Sequence, residues 1–567
     1  MLHKRSLYAL FAILILTSML AACAKTTTEP TTQIPVVPET QAPVTVQTEA
    51  PVVQETQAPV TTEATTTGGG ILTVGIATEP ETLDPGDAVY IPEQFVLISL
   101  FDSLLSMAPD NSLHPGLALS WEPNAEYSEF TFELRQDVTF HDGTPLTAEA
   151  VKASFDHIKN DVLTSGGKDL LDSHGYVETV VVDDYIATIK FNAPYPTFLR
   201  DAARQWLSIS SPTALQKYGS EYGRHPVGTG PFRFVKWDVQ SQIVVERNPD
   251  YAWAPEFTHP GPASLEQIIY RILPDAATRL TALQTGEILV AEEPPALDAL
   301  DLVDQGLAVV KTFTSPGLPS HQMINTTKVP TDDINVRKAM ILSVNQEELV
   351  QTAFRSLGVP AHNIVSPTTW SYNPAAAELY RYDPEEAARL LEESGWVDSN
   401  NDGIREKEGQ NLHIRYLSIP SWEEAFNELL AGYLQATGFE VEMVIVDDAG
   451  AVSEALTGNF NMINMGWVKA DPSPMRILFD SANIEGGMAY THFNSPELDK
   501  LLADADSQTD ETIRAKDYED AQMIVMENAL VIPLFCYNRV YLMTAAVQNF
   551  TFDMEGYPFL YDVSLAP

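Results

Sequence analysis

The sequence predicts an α/β fold, in which helices cover the faces of β-sheets. Asp383-Pro384-Glu385-Glu386 is a typical helix start, with an N-cap Asp, Pro at the first helical position and a capping-box Glu, and Gly395 ends the apolar pattern that follows. A second helical pattern ends at Gly438, and residues 439–445 then alternate apolar and acidic residues as a strand does. Alternation of strands and helices is typical of sheets covered by helices.

The amino-acid composition limits which classes of molecule the protein is expected to bind. The 567 residues include 78 acidic and 33 basic side chains, for a formal net charge of −45 at pH 7. Nucleic acids and anionic lipid headgroups repel such a surface, so we expect neither as a partner. The length suggests two to four domains.

Residues 1–22 are predicted to be a secretory signal sequence. His3-Lys4-Arg5 is a basic start, residues 7–16 are apolar but too few for a confident membrane span, and small residues precede Cys23. Leu20-Ala21-Ala22-Cys23 resembles the lipobox of bacterial lipoproteins. The resemblance implies that Cys23 carries a lipid anchor, with an ordinary secretory signal as the alternative.

Residues 23–70 are predicted to be the anchor Cys followed by a disordered linker. Residues 24–70 are rich in Thr, Pro, Val, Gln and Glu, contain no aromatic residue, and repeat residues 39–45 as residues 55–61. Such a segment buries too little apolar area to offset its ordering entropy. Cys536, the other cysteine, lies in an apolar stretch and is expected to be a buried hydrophobic residue.

Enzyme signatures are absent from the sequence. It contains no Gly-x-Ser-x-Gly elbow and no His-Glu-x-x-His motif, and its histidines lack metal-ligand spacing. Ser165-Gly166-Gly167-Lys168 matches Ser-x-x-Lys by letter only, since no Lys-Thr-Gly partner follows. We therefore expect neither enzymatic activity nor a cofactor.

One loop matches part of a calcium-binding pattern. Asp398, Asn400 and Asp402 occupy positions one, three and five of an EF-hand loop, with Gly403 at position six. Position twelve is Gly409 instead of Glu. The favoured interpretation is an Asx-rich turn, and a weak calcium site is the alternative.

A series of motifs from residue 71 to residue 540 carries a family resemblance. The most specific block runs from Pro115-Gly116-Leu117-Ala118 through Phe130-Thr131-Phe132 to Val138-Thr139-Phe140-His141-Asp142-Gly143-Thr144-Pro145. A hairpin and then a helix capped by Thr147 are expected here. Shorter matches, in chain order, are Thr78-Glu79-Pro80-Glu81-Thr82-Leu83-Asp84-Pro85, Gly228-Thr229-Gly230-Pro231-Phe232, Leu283-Gln284-Thr285-Gly286-Glu287, Gly466-Trp467 with Asp471-Pro472, and Ile532-Pro533-Leu534. Together they resemble family 5 of the bacterial extracellular solute-binding proteins, the peptide and nickel-chelate receptors of ABC importers.

The resemblance implies a two-lobed periplasmic-binding-protein fold of type II, with an extra subdomain and a ligand cleft that closes by a hinge. The implied first lobe combines residues 71–112, 228–323 and 535–567. Residues 113–227 form the subdomain beside it, and residues 324–534 form the second lobe.

The resemblance also implies which residues face the cleft. Tyr90 follows the first strand, where nickel-type receptors place a ligand-contacting Tyr, and Arg204 and Trp206 lie near the position of their cleft Arg. Arg204 is either a ligand-carboxylate partner or a surface residue. The remaining candidates are Trp467, Lys469 and Asp471. Asp471 is expected either to cap the helix that contains Met475 or to pair with a ligand amine, and Lys469 indicates an anionic ligand group.

The predicted function is that of a lipid-anchored receptor outside the cytoplasm, which captures a peptide or similar small solute and delivers it to an ABC importer. A metal-chelate receptor of the same family and a surface sensor are the alternatives. The expected partners are the ligand, the permease subunits and, through Cys23 alone, the membrane.

Overall fold

The computed structural model describes residues 69–89, 91–109, 111–418 and 424–566. The chain divides into two units, residues 1–65 and 66–567, and all described residues belong to the second. Cys23, the signal sequence, nearly all of the linker and Tyr90 therefore lie outside the described residues. None of the described helices is long and apolar enough to cross a membrane.

A seven-stranded sheet forms the first lobe. Its central strand Ile71–Ile76 is parallel to both of its neighbours, Gln267–Ile272 and Val290–Glu292. The strand order across the sheet is Val309–Thr314, Asn538–Met543, Val290–Glu292, Ile71–Ile76, Gln267–Ile272, Gln242–Arg247, Phe232–Asp238.

A six-stranded sheet forms the second lobe. Successive side chains of a strand point to opposite faces of the sheet, so Tyr416 and Leu417 lie in two different apolar cores. Helices cover both faces. The strand order is Val359–Pro360, Val531–Cys536, Gly317–Ile324, Met462–Val468, His413–Ser418, Glu440–Ile445.

Residues 118–191 form a separate four-stranded antiparallel sheet, and in the chain they lie between the strands Ile71–Ile76 and Phe232–Asp238 of the seven-stranded sheet. The strand order of the four-stranded sheet is Ala118–Pro123, Glu129–Leu134, Ile186–Phe191, Tyr176–Asp183. The remaining strands pair in twos: Leu105–Met107 with Leu113–Pro115, Glu406–Lys407 with Gln410–Asn411, Val547–Gln548 with Ser564–Leu565, and Thr551–Phe552 with Pro558–Phe559.

The α-helices of the first lobe and its subdomain are Ile91–Leu100, Ala148–Asn160, Gly166–Ser173, Phe198–Asp201, Pro212–Tyr218, Ala276–Gln284 and Ala296–Asp304. Those of the second lobe are Ile334–Leu342, Gln346–Phe354, Pro374–Ala377, Pro384–Glu393, Glu424–Ala436, Asp448–Thr457, Pro474–Phe479, Pro496–Ser507 and Glu511–Glu527. Short 3-10 helices are Gln205–Leu207, Gly219–Arg224, Arg355–Leu357 and Ser481–Asn483.

Most of the predicted helix ends are confirmed. The Asp383 carboxylate accepts the N–H of Glu386 at the start of Pro384–Glu393, and Gly395 has a φ of +86° beyond its end. Thr147 differs from the prediction. It occupies the N-cap position of Ala148–Asn160, but its side chain accepts no capping hydrogen bond.

The chain crosses between the two large sheets twice, and the two crossings contact each other. One crossing follows Val309–Thr314 and the other passes through Tyr537, between Val531–Cys536 and Asn538–Met543. The N–H of Ser315 donates to the carbonyl of Tyr537 at 2.8 Å. The two sheets are thus joined by a hydrogen-bonded pair of short connections, a geometry suited to a hinge.

Candidate functional site

A cavity of about 610 Å³ lies beside the two crossings, between the two large sheets. Glu293, on its first-lobe wall, comes directly after the parallel strand Val290–Glu292, and Phe426 and Asn427 lie in the helix after the parallel strand His413–Ser418. Ligands of open α/β sheets bind outside the carboxyl ends of the strands, and here such ends from both lobes converge. We name this space the hinge chamber.

Aromatic and carboxamide groups dominate the wall of the hinge chamber. Phe426 and Phe354 each lie 4.9 Å, centroid to centroid, from Phe535, which is 5.6 Å from Tyr537. The described residues that line the chamber are Glu293, Pro294, Ala296, Ser320, Ala353, Phe354, Leu357, Gly358, Phe426, Asn427, Asn464, Phe535, Cys536, Tyr537, Asn538 and Val540. Cys536 is buried, as predicted, and burial raises the pKa of its thiol to about 11.

A smaller cavity of about 20 Å³ brings three of the predicted site residues together. Arg204 lines it from the subdomain, and Lys469 and Asp471 line it from the second lobe. The Lys469 ammonium donates to the Ser473 hydroxyl at 3.1 Å. These side chains were predicted from a resemblance over separate parts of the chain, and the tertiary structure places them at one site.

Arg204 is paired inside the protein. Its guanidinium lies 2.9 Å from the Glu555 carboxylate and 3.5 Å from that of Asp201, and it stacks 4.1 Å from the Trp206 ring. Its side chain is 12 % exposed, so it is not the surface Arg of the second alternative. Trp206 packs against Gly166 and lines neither cavity between the lobes.

Asp471 forms a buried ion pair. Arg514 donates from both terminal nitrogens to the two Asp471 oxygens, at 2.6 and 2.8 Å. Burial alone would raise the pKa of Asp471, but the Arg514 charge and hydrogen bonds hold it well below its usual value. The helix Pro474–Phe479 has Ser473 as its N-cap, so Asp471 is not the N-cap but instead accepts the Ser473 N–H at 3.0 Å.

Trp467 lies on the strand Met462–Val468, opposite Leu318, and packs against the apolar core of the second lobe. It does not line either cavity between the lobes. Asn464, earlier on the same strand, does line the hinge chamber, as do Glu293 and Asn538, and none of the three was predicted from the sequence. The sequence signal for Glu293 was an acidic pair that follows a buried strand and precedes two prolines.

The calcium-like loop lies in the second lobe. Carboxylate oxygens of Asp398, Asp402 and Glu406 lie within 4.8 Å of one another. The loop also satisfies its own backbone, because Asp398 accepts the N–H of Gly403 at 3.0 Å and Asn400 accepts that of Asp402 at 2.8 Å. This is the geometry of the favoured Asx-rich turn, and calcium binding stays a prediction.

Residues 112–484 match the family described as bacterial extracellular solute-binding proteins, family 5. The chain belongs to this family, and its fold is that of the periplasmic binding proteins, as predicted. Family members are transport receptors that serve ABC importers and have no enzymatic activity.

Relatives and solved structures agree with this assignment. The chain is 28% identical over 477 residues to the glutathione-binding protein GsiB of Shigella flexneri, which covers 82% of this chain and 88% of that one. It is 28% identical over 443 residues to the dipeptide-binding protein of Escherichia coli K12, which covers 73% of this chain and 79% of that one. HbpA2 from Haemophilus parasuis superposes with a TM-score of 0.77 at 25% identity, over 88% of this chain and 100% of that one. NikA from Brucella suis, solved with Fe(III)-EDTA, superposes with a TM-score of 0.76 at 25% identity, over 88% of this chain and 99% of that one.

Proposed function

We propose that this protein is a lipid-anchored receptor that captures a peptide in the hinge chamber and delivers it to an ABC importer. The observation that carries the proposal is the hinge chamber itself, whose 610 Å³ lie between two lobes joined by a hinge. Its volume falls in the range of small-molecule sites, and its aromatic walls with a few polar groups are typical of them. Carboxamides and hydroxyls match the hydrogen-bonding groups of a peptide backbone.

The proposed mechanism is closure of the lobes on the ligand. A ligand shifts the open–closed equilibrium only by as much as it binds the closed form more tightly. The hinge chamber has walls from both lobes, so a ligand there gains contacts from both only when the lobes are closed. The permease would then recognise the closed form. Cys23 would hold the receptor at the membrane through its lipid.

The cleft residues of the prediction take proposed roles around the ligand. Lys469 lines the smaller cavity and would face an anionic end of the ligand. Arg204 lines the same cavity, but Glu555 and Asp201 already pair with its guanidinium, and its contact with a ligand carboxylate stays a prediction. Tyr90, Trp206 and Trp467 stay predictions. Asp471 would act on the ligand indirectly, by holding Arg514 and the loop that carries Lys469 in place.

A metal-chelate receptor is the second candidate, supported by the similarity to NikA. Among the described residues the one group of three or more His, Cys, Asp or Glu side chains with metal-binding spacing is Asp398, Asp402 and Glu406, none of which lines the hinge chamber. A chelate ligand would therefore have to supply its own metal ligands.

Mass spectrometry of small molecules released from the protein tests these candidates. The soluble fragment from Ile71 onward is purified without chelators and denatured. A stoichiometric peptide in the released fraction supports the proposal, and a metal chelate favours the second candidate. If the protein is empty, peptide and chelate libraries are screened by thermal shift. Failure of every peptide to raise the melting temperature would contradict the peptide proposal.

A further inference from the structure

Apolar side chains form most of the hinge-chamber wall that a ligand can reach. Three of the polar residues in the lining, Ser320, Asn427 and Asn464, are buried, and Asn464, the most exposed of them, is only 7% exposed. A ligand in the chamber therefore meets mainly aromatic and aliphatic groups. The apolar residues of the described lining that are only partly buried are Ala296, Ala353, Phe354, Phe535, Tyr537 and Val540.

Among the described residues, the hinge chamber offers no unpaired charge to a ligand. Glu293 is the one charged side chain in that lining, and its carboxylate forms an ion pair with the Arg539 guanidinium, 3.8 Å away. A cationic side chain of the ligand would compete with Arg539, and an anionic one would meet the charge of Glu293. Moving a charged group from water into such a site without a partner is costly, whereas an apolar group gains by leaving water.

The hinge chamber has room for a bulky side chain. An apolar cavity of roughly 150 Å³ holds one benzene ring, and the chamber has a volume of about 610 Å³. The ring centroids of Phe354 and Phe426 each lie 4.9 Å from that of Phe535, so the second-lobe wall is a cluster of rings. Aromatic groups attract one another at such separations in addition to the gain from buried area. A ring or a branched aliphatic chain of the ligand would extend this cluster.

Tyr537 places one ring of the wall on the hinge itself. Its carbonyl accepts the N–H of Ser315, the bond that links the two crossings. Its ring lies against Gly466, where a Cβ would be 2.8 Å from Tyr537 Cε2, so the absence of a side chain leaves the space that the ring occupies. Phe535 precedes this crossing in the second lobe and Val540 follows it in the first. An apolar group between them would contact both lobes, and its burial would favour the closed form.

We propose that the hinge chamber selects ligands by a bulky apolar side chain and discriminates against charged side chains of similar size. The inference rests on the proposed peptide function and specifies the ligand class: peptides that contain Phe, Leu or a similar residue at the position that enters the chamber. Ala353, on the helix Gln346–Phe354, is a specificity-determining residue, because its small side chain leaves space at the wall that a larger one would fill.

The test uses three sets of tripeptides, in which the first, second or third residue varies and the other two are Ala. The variable residue is Phe, Leu, Gln, Lys or Glu, and the termini are the same throughout. Affinities are measured by calorimetry. At one of the three positions we expect Phe or Leu to bind about tenfold or more tightly than Gln, Lys and Glu, because only the apolar side chains gain from burial in the chamber.

Ala353→Leu should narrow the hinge chamber and weaken the best apolar tripeptide about tenfold, while trialanine binds as before. Thr352→Leu is the matched control, because Thr352 is exposed, precedes Ala353 on the same helix and does not line the chamber. It should leave both affinities unchanged. If Ala353→Leu does not fold, Phe354→Leu replaces it, and the loss of a wall ring should lower the preference for the apolar tripeptide over trialanine.

Equal affinity for apolar, polar and charged residues at all three positions overturns the inference and leaves the peptide function standing. So does an unchanged preference for the apolar tripeptide over trialanine in the folded chamber variant. Binding of no tripeptide by the folded wild-type protein removes the peptide function, and the inference with it.

Discussion

At the scale of single residues, long-range pairing decides which side chains can meet a ligand. Asp471 was a candidate for an amine partner, but Arg514, 43 residues further along the chain, takes both of its oxygens. Arg514 also donates to the Ala505 carbonyl at 2.9 Å, so the pair is held on several sides. A buried pair of this kind is strongly destabilising when broken, because one charge is left without a partner. Its role is therefore to hold the loop next to the cleft.

Glu292, the last residue of the strand Val290–Glu292, makes the stability of the protein depend on pH. Burial, and then the charge of Glu293, raise the pKa of the Glu292 carboxyl to about 7, although the N–H of Ala77 opposes this. The folded protein keeps the proton between about pH 4.5 and 7, whereas the unfolded chain loses it. The free energy of unfolding must fall as pH rises through this window.

Glu292→Gln should remove this fall in the free energy of unfolding as pH rises. Relative to wild type, the variant should gain stability between pH 5 and pH 8 by up to about 3 kcal/mol, at about 1.4 kcal/mol per pKa unit. Urea unfolding at both pH values measures the difference. Glu246→Gln, at an exposed acid on the strand Gln242–Arg247 of the same sheet, is the control for removal of one acidic side chain. A variant-to-wild-type difference that is the same at both pH values would contradict the assignment.

At the scale of elements, the first residue of the strand Gly317–Ile324 must be glycine. Gly317 has a φ of +103°, and a Cβ there would lie 2.3 Å from the Trp467 carbonyl oxygen and 2.6 Å from the Lys469 nitrogen. The neighbouring atoms are backbone, so they cannot move aside without shifting the strand Met462–Val468. The close approach sets the position of Lys469 relative to the hinge.

Gly317→Ala should therefore destabilise the second lobe by about 3 kcal/mol, from the conformational penalty and the overlap together. It should also weaken ligand binding, because residues 467–469 are displaced. Gly286→Ala is the control: its φ is +76°, but nothing lies within 4 Å of its Cβ. That variant should lose only about 1 kcal/mol in thermal or urea unfolding. Equal losses in the two variants would show that the contact with Trp467 carries no energy.

At the scale of the whole molecule, an ion pair links the subdomain to the second lobe. Arg200 lies 2.6 Å from Glu511, and its other terminal nitrogen donates to the Asn111 side chain at 2.8 Å. Glu511 is largely exposed, so the pair is screened by salt and is worth at most about 1 kcal/mol. Closure of the cleft would form it, and opening would break it.

Glu511→Gln should lower the apparent affinity for the ligand about two- to fivefold, because it reduces the fraction of closed molecules. Calorimetric titration at low and high salt measures this, and the effect should shrink at high salt. Asp520→Asn, which removes the exposed pair with Lys516 on the same helix, should change nothing. An identical loss in both variants would mean that net charge, not the contact between lobes, is responsible.

Local sequence patterns were sufficient to predict several helices, the fold class and the family. Capping residues and apolar periodicity predicted helices such as Pro384–Glu393 and Glu424–Ala436, because these signals are local. Motifs spread along the chain were enough to predict the two-lobed fold and the solute-binding role. The helix start at Thr147 shows the limit of local signals, since the residue type was right but the side-chain bond did not form.

Which polar groups face the cleft depends on contacts between residues that are far apart in the chain. Asp471 and Glu293 are both acidic residues that follow strands and precede proline, so the sequence alone could not separate their roles. The difference comes from neighbours distant in the chain: Arg514 neutralises Asp471, whereas Glu293 donates its N–H to the Val540 carbonyl and lines the hinge chamber. Charge pairing and burial depend on three-dimensional proximity, which residue type and spacing do not encode.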